Sequence, residues 1–322
     1  MKLIIQIPCH NEEATLPVVV ADLPKHIGGI DTIEVLVIDD GSTDRTVEVA
    51  RQVGVQHVLR LGAHRGLATA FIRGVQRCLE LGADVIVNTD GDNQYQGRGI
   101  PDLVAPILAG RAEIVVGARP IESIPHFSAR KKRLQRLGSR IVRHFSRTEI
   151  PDTTSGFRAY SADAALRLHV FNQYTYTVET IIQAGHLGIP ITHVPVAVNP
   201  KTRESRLMSS VPSYVWRMIS IILRSYVTYK PLRTFCYLAL PPGVLGAVLC
   251  LRFLLFYLFG PSASGHIQSL ILAAVCLLIA SHLLALGILA DLSHANRHLL
   301  QEILFHTRRK FIKERKPPLA QS

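Results

Sequence analysis

The apolar run Val85-Ile86-Val87 leads through Asn88-Thr89 into Asp90-Gly91-Asp92-Asn93-Gln94, which reads as a buried strand delivering two carboxylates to a sheet edge. The two carboxylates flank Gly91 in the turn that follows the strand. Gly91 lets the backbone bend so that both turn towards one hard cation, and Gln94 adds a neutral oxygen ligand. A cation held this way suits a diphosphate. An isolated Asp-x-Asp is equally an ordinary polar turn after a strand, so the surrounding elements must distinguish the two.

Those elements repeat one pattern. Residues 3–7 form a short β-branched run that ends at Pro8 and passes into Cys9-His10-Asn11-Glu12-Glu13, a strand, a loop and a helix start. A second apolar strand, 33–38, stops at Asp39-Asp40-Gly41-Ser42-Thr43-Asp44, and 46–53 continue with helical spacing. A third strand is expected at 58–61, a helix at 66–81, the strand before the acidic turn at 85–89, and another strand at 114–117 ending near Arg119. Strands alternating with helices predict an α/β domain with a mostly parallel central sheet covered on both faces. Ligands of such sheets bind beyond the carboxyl ends of the strands, where the acidic clusters fall.

Four segments in order, Ile7-Pro8-Cys9-His10-Asn11-Glu12, Val37-Ile38-Asp39-Asp40-Gly41-Ser42-Thr43-Asp44, Asp90-Gly91-Asp92 and Thr154-Ser155-Gly156-Phe157-Arg158-Ala159-Tyr160, resemble family 2 glycosyltransferases. Within that family the chain is most similar to membrane-attached enzymes that glycosylate polyprenyl phosphates, such as dolichol-phosphate mannose synthases and bacterial undecaprenyl-phosphate sugar transferases. The resemblance holds in motif detail over residues 1–210 and only in architecture beyond them. It implies a GT-A fold that binds a nucleotide sugar, with UDP and GDP both open. Pro8, His10 and Glu12 would lie beside the nucleoside, with Asp40 and its neighbour Asp39 reaching the base or ribose. Asp90, Asp92 and Gln94, with Gly91 between the acids, would hold Mg2+ or Mn2+ against the diphosphate. The sequence departs from the family at His10, where Tyr or Phe is usual, and at Leu67, where relatives often carry Lys.

Breaking a nucleotide sugar leaves negative charge on the departing diphosphate, which a metal and arginines can meet without proton transfer. Arg119 and the segment Arg203-Glu204-Ser205-Arg206 are candidate phosphate clamps or solvated surface cations. The cluster Arg130-Lys131-Lys132-Arg133 with Arg136, Arg140 and Arg143 suggests a basic helix facing an anionic membrane or a lipid-linked phosphate, or a solvated helical face. A sugar hydroxyl must lose a proton as it attacks, whereas a phosphate monoester with a second pKa of about 6 already offers an anionic oxygen. Glu179 and Asp152 are the carboxylates placed for base duty where one is required. Asp152 can instead cap a helix or hold the Thr-Ser-Gly-Phe-Arg loop, and Glu179 can pair with a cation.

The net charge of +12 raises nucleic acid as a partner, but the cations gather in the 130s and around the apolar segments, which favours anionic lipid. The five cysteines, Cys9, Cys78, Cys236, Cys250 and Cys276, form no CxxC pair and suggest neither disulfide framework nor zinc site. Met1-Lys2 leads straight into the first strand with no cleavable signal peptide expected. Residues 234–259 and 267–290 are each long enough to cross a bilayer, which takes about 20 residues. Arg252 lies inside the first span, and Pro241-Pro242-Gly243 should kink or delay its helix. The connection 260–266 lacks Lys and Arg, whereas basic residues precede the first span and follow the second, so both termini are expected in the cytoplasm. Before the first span, Ser213, Arg217, Ser220, Arg224 and Thr228 form a narrow polar stripe on an otherwise apolar helix, expected at the interface. A basic, fraying helix is expected from Arg308 onwards.

The expected organisation is therefore a cytoplasmic GT-A domain over 1–210, an interfacial helix over 211–231, and a two-helix membrane region with a basic tail over 232–322. The resemblance implies an inverting, metal-dependent transfer of one sugar from a nucleotide diphosphate donor to a polyprenyl phosphate, by a plasma-membrane protein that is a homo-oligomer. Two spans are too few for a polymer channel, which argues against a processive synthase. Alternatives are transfer to a lipid or glycan hydroxyl with Glu179 as base, and a non-catalytic membrane-anchored nucleotide-sugar-binding subunit.

Overall fold

The computed structural model describes residues 1–120, 138–143, 145–170, 176–200, 220, 227–259 and 267–315, the last five without side chains. The basic cluster from Arg130 to Arg136, the Arg203–Arg206 segment and most of the expected interfacial helix lie outside the described residues.

Seven strands form one sheet: β1 (Lys2–Cys9), β2 (Thr32–Asp39), β3 (His57–Arg60), β4 (Val85–Asn88), β5 (Ile114–Ala118), β6 (Arg158–Ser161) and β7 (Ile191–Pro195), in the order β3-β2-β1-β4-β6-β5-β7. All neighbouring pairs run parallel except those of β6, which is antiparallel to β4 and β5. The sheet is thus mostly parallel, as its alternating elements predict. Strand alternation sends Leu3, Ile5 and Ile7 to one core, under α1 (Leu16–Ala21), α2 (Thr46–Gln52) and α4 (Ile100–Leu108). Ile4, Leu36 and Ile38 face the other core, under α3 (Leu67–Glu80) and α5 (Ala162–Arg167). On α3 the buried residues Ala68, Phe71, Val75, Cys78 and Leu79 follow helical spacing, which makes one stripe of the helix apolar. Ser161 caps α5 by accepting from the Ala164 N–H at 3.0 Å. A further helix, α6 (Thr177–His186), precedes β7.

Strand β1 runs through Pro8 instead of ending there. The Cys9 carbonyl accepts from Asp40 N on the β2 side, and the Gln6 carbonyl accepts from Thr89 N on the β4 side. Pro8 therefore faces the β4 side, where the ladder has stopped at the Gln6–Asn88 pair, and its missing N–H costs no sheet bond.

The chain divides into two compact units, Met1–Ile221 with Leu304–Ser322, and Ile222–Ile303. The second holds α7 (Pro231–Phe259) and most of α8 (Ile267–Arg315), two helices long and apolar enough to cross a membrane. Helix α7 passes through Pro241 and Pro242 and begins ten residues before them at Pro231, so the Pro-Pro-Gly run does not delay it. Helix α8 has 49 residues, about 74 Å at 1.5 Å per residue, far more than the roughly 30 Å hydrocarbon layer needs. It continues unbroken past Arg308 to Arg315, so the basic stretch expected to be helical is the end of this same helix. Its end belongs to the first unit: Phe305 is buried against that unit's core, with the Arg167 guanidinium 4.8 Å from its ring centre and Arg309 paired to Asp163 at 3.3 Å.

Candidate active site

The sheet brings seven chain segments to one edge. Strands β1, β2, β3, β4, β5 and β7 end there, and β6, running the other way, begins there opposite Asn88. The loop from Thr153 to Phe157 consequently reaches the edge on which the acidic clusters sit. The strand order reverses beside β1, where ligands of open α/β sheets bind.

The loops after β1 and β2 interlock first. Glu12 N donates to Thr46 Oγ1 at 2.9 Å and Asn11 N to Ser42 Oγ at 3.0 Å. Asp39 is buried, its Oδ1 accepting from Ser42 N at 2.9 Å. The Asp40 carboxylate, also buried, accepts from the N–H groups of Arg65 and Gly66 at 2.7 and 2.9 Å, and His64 Nδ1 lies 2.9 Å from it. His10 Nδ1 is 2.9 Å from the Asp40 carbonyl, which makes Nδ1 the protonated nitrogen, and the His10 and His64 rings face each other at 4.2 Å. Where an aromatic ring is usual the chain has two imidazoles; His64 was visible in sequence only as part of a loop lacking lysine.

The acidic turn then docks on the β1 loop. Thr15 Oγ1 lies 2.7 Å from the Gly91 carbonyl and 2.9 Å from Glu12 Oε2. A Cβ on Gly91 would come within 3.1 Å of Cys9 Sγ and 3.4 Å of Glu12 Cγ, so this glycine is required for close approach. The left-handed residue of the turn is Asn93, with φ of 59°, and not Gly91 as bending at the glycine would have it. Asp92 Oδ1 accepts from Gln94 N at 3.1 Å. A Cβ on Gly156 would lie 2.9 Å from Asp90 Oδ1 and 3.1 Å from the Tyr176 hydroxyl, so the β6 loop closes on Asp90 from the other side. Burial, and then the charges of Glu12, Asp39, Asp44 and Asp90, push the Cys9 thiol well up, which keeps it neutral.

Asp90, Asp92 and Gln94 carry hard oxygen donors of the kind Mg2+ and Mn2+ take, and Gly156 keeps open the approach to Asp90 Oδ1 that a Cβ at 2.9 Å would crowd. Among the described residues no group of three or more His, Cys, Asp or Glu could hold a metal by itself. An ion held by these donors would take its remaining ligands from elsewhere, from phosphate oxygens or water.

Arg119 and Asp152 form one unit. Arg119 donates through Nε and Nη2 to the two Asp152 oxygens at 2.6 and 3.1 Å, and through Nη2 to Thr154 Oγ1 at 2.9 Å. Burial would raise the Asp152 carboxyl, but the Arg119 charge and the hydrogen bonds outweigh it and hold it below the usual carboxylate range. Thr154 N and Oγ1 also meet Asp152 Oδ1, the loop-holding arrangement that was one of its two sequence readings. Burial alone would lower Arg119, while Tyr95, Asp152 and Asp90 beside it keep the guanidinium charged. Tyr95 was not singled out from sequence although it directly follows the acidic turn. Its ring stacks on Phe157 with centres 5.0 Å apart, and burial first pushes its hydroxyl up to about 12. Glu179 sits buried in the first turn of α6. That turn is joined to the β6 loop by the fully buried Arg158, which donates to the carbonyls of Thr153, Ser155 and Thr177 and to Thr180 Oγ1 at 2.7 to 3.0 Å. Arg203 and Arg206 lie outside the described residues.

Comparison with known proteins identifies the family and the fold. The model of "Glycosyl transferase family 2" matches residues 4–168. The chain is similar to an undecaprenyl-phosphate mannosyltransferase of Micrococcus luteus, 30% identical over 222 residues, which cover 66% of this chain and 89% of that protein. It is also similar to a polyprenol monophosphomannose synthase of Mycolicibacterium smegmatis, at 24% identity, covering 61% and 76%. A UDP-N-acetylglucosamine–dolichyl-phosphate N-acetylglucosaminyltransferase of Methanococcus voltae is 28% identical, covering 59% and 82%. Among solved structures, glucosyl-3-phosphoglycerate synthase from Mycobacterium tuberculosis, in complex with Mn2+, UDP and glucosyl-3-phosphoglycerate, superposes with a TM-score of 0.57 at 22% identity, covering 70% of this chain and 79% of that one. The family match spans the sheet from β1 through β6 and includes the acidic turn, so the chain belongs to glycosyl transferase family 2 and carries its catalytic unit in a GT-A fold.

Proposed function

We propose that this glycosyltransferase moves one sugar from a nucleotide diphosphate donor to a polyprenyl phosphate at the cytoplasmic face of the membrane, inverting the anomeric centre. The observation that carries the acceptor class is the Arg119–Asp152 pair. A carboxylate held below its usual range by a bidentate guanidinium is a poor proton acceptor at neutral pH, which argues against base duty for Asp152. A phosphate acceptor needs no base, since its oxygen is already ionised. The similarity to undecaprenyl-phosphate and dolichyl-phosphate sugar transferases supports the same class.

The nucleoside would lie against Pro8, His10 and Glu12, with the loop capped by Asp40 beneath the base. Asp90, Asp92 and Gln94 would hold a divalent cation, which when bound neutralises charge on the departing diphosphate. With Nε and Nη2 committed to Asp152 and Thr154, Arg119 has its Nη1 edge, among the described residues, to present to a phosphate. Helices α7 and α8 would anchor the chain, and Lys230, Arg233, Arg297, Arg308, Arg309 and Lys310 beyond the apolar stretches support cytoplasmic ends. Mass spectrometry of lipids after incubating the purified protein with nucleotide sugars and polyprenyl phosphate should show one added sugar on the phosphate. Sugar found only on a lipid hydroxyl, or released only as free sugar, would overturn the proposal.

A further inference from the structure

The acidic turn is braced from the far end of the domain. Asn199, four residues beyond β7, donates its N–H to the Gln94 carbonyl at 2.9 Å and its side-chain Nδ2 to the Asn93 carbonyl at 3.0 Å and Asn93 Oδ1 at 3.3 Å. Asn199 Oδ1 accepts from Gln96 Nε2 at 2.9 Å, while Gln96 Oε1 accepts from Arg98 Nε at 2.7 Å. The Arg98 bond sets the orientation of the Gln96 amide, which in turn sets that of Asn199, so Nδ2 is the atom turned to Asn93. Tyr95 bridges to Val198 alongside. One residue therefore holds two successive carbonyls, those of Asn93 and Gln94, beginning at the residue whose φ of 59° gives the turn its left-handed bend.

We propose that Asn199 is a positioning residue for the cation-binding turn, holding Asp92 and Gln94 in the arrangement in which both meet one divalent ion. This rests on the reading that Asp90, Asp92 and Gln94 are the cation ligands. Asn93 sits directly between Asp92 and Gln94, so loss of the Asn199 amide frees that residue to return to right-handed backbone and turns the two ligand side chains apart. Groups that orient metal ligands without touching the metal change affinity by about 10- to 100-fold when removed.

The test is Mn2+ binding, followed by electron paramagnetic resonance of the free ion with the full chain in detergent, in the presence of UDP and separately of GDP, without turnover. Asn199→Ala is expected to weaken Mn2+ at least about tenfold with thermal unfolding close to wild type, and excess Mn2+ should restore donor hydrolysis. Asn199→Asp, which turns an acceptor towards the Asn93 carbonyl, should do at least the same damage. Wild-type affinity in Asn199→Ala, with binding lost in Asp92→Asn, overturns the proposal while leaving the ligand reading intact. No Mn2+ binding by wild type with either nucleotide, or wild-type binding by Asp92→Asn, overturns the ligand reading itself. Should Asn199→Ala fail to fold, Gln96→Ala, which removes the bond orienting the Asn199 amide together with the Arg98 contact but leaves Asn199 itself in place, carries the test, and unchanged Mn2+ affinity there counts against the proposal.

Discussion

Replacing Asp152 by Asn should destabilise the catalytic unit more than it impairs proton transfer. Asp152 is fully buried and accepts from Arg119 N, Nε and Nη2 and from Thr154 N and Oγ1. An amide keeps one acceptor oxygen and turns an NH2 group against a guanidinium that is 13% exposed. Breaking one side of a buried ion pair costs about 3–5 kcal/mol, and the residual exposure of Arg119 puts this case near about 3 kcal/mol. At about 2–4 °C per kcal/mol for a domain of this size, the melting temperature of the purified chain should fall by about 6–12 °C. The pH dependence follows from the sign of the shift. The folded-state carboxyl lies below its unfolded value of about 3.9, so its contribution is fully present above that value and is lost as pH falls through the folded pKa. The gap in melting temperature between wild type and Asp152→Asn should therefore stay constant from neutral pH down to about 5 and close below about 4. Removing both charges, with Arg119→Met and Asp152→Leu together, should recover much of the stability. The reasoning fails if Asp152→Asn melts within about 2 °C of wild type and transfer nonetheless drops by more than about 100-fold, because that combination is the signature of a general base.

Asp92→Asn should abolish metal-dependent transfer with an unchanged melting curve, and wild-type turnover in this variant would remove the acidic turn from the mechanism. Glu179→Gln should lower transfer by less than about tenfold when the acceptor is a phosphate; a loss beyond about 100-fold in a folded protein would favour a hydroxyl acceptor. Gly156→Ala places a methyl 2.9 Å from Asp90 Oδ1 and 3.1 Å from the Tyr176 hydroxyl. Overpacking of this kind costs about 1–3 kcal/mol, and kcat should fall at least about tenfold because Asp90 is one of the atoms displaced; an unaltered kcat would show that the β6 loop does not constrain Asp90.

The strands whose ends carry charged residues were legible because each is an apolar run with a polar stop, and β1, β2, β4 and β5 lie within two residues of where their hydrophobicity places them. Strands β6 and β7 were not. Arg158-Ala159-Tyr160-Ser161 contains a guanidinium at its first position, and only the structure shows that the charge is buried among carbonyls and a threonine hydroxyl. Ile191-Thr192-His193-Val194-Pro195 is half exposed and too polar to stand out. The carboxylates at the sheet edge were readable from spacing, but their bonds were not: Arg119 and Asp152 are 33 positions apart, and Asn199 meets Asn93 from 106 positions away. No local pattern encodes such pairs, because they depend on which strands become neighbours.

That neighbour order explains how one edge collects both the acidic turn and the Arg119–Asp152 pair. In an all-parallel sheet the chain leaves each strand at the ligand edge and returns to the next from the opposite edge, so it delivers only residues that follow strands. Antiparallel β6 breaks this rule by starting at the ligand edge, and it thereby brings in residues that precede a strand. Thr153 to Gly156 are those residues, and they hold Asp152 against Arg119, close on Asp90, and connect through Arg158 to the turn bearing Glu179. The strand also separates β4 from β5, so the acidic turn and Arg119 stand two strands apart with the β6 loop between them.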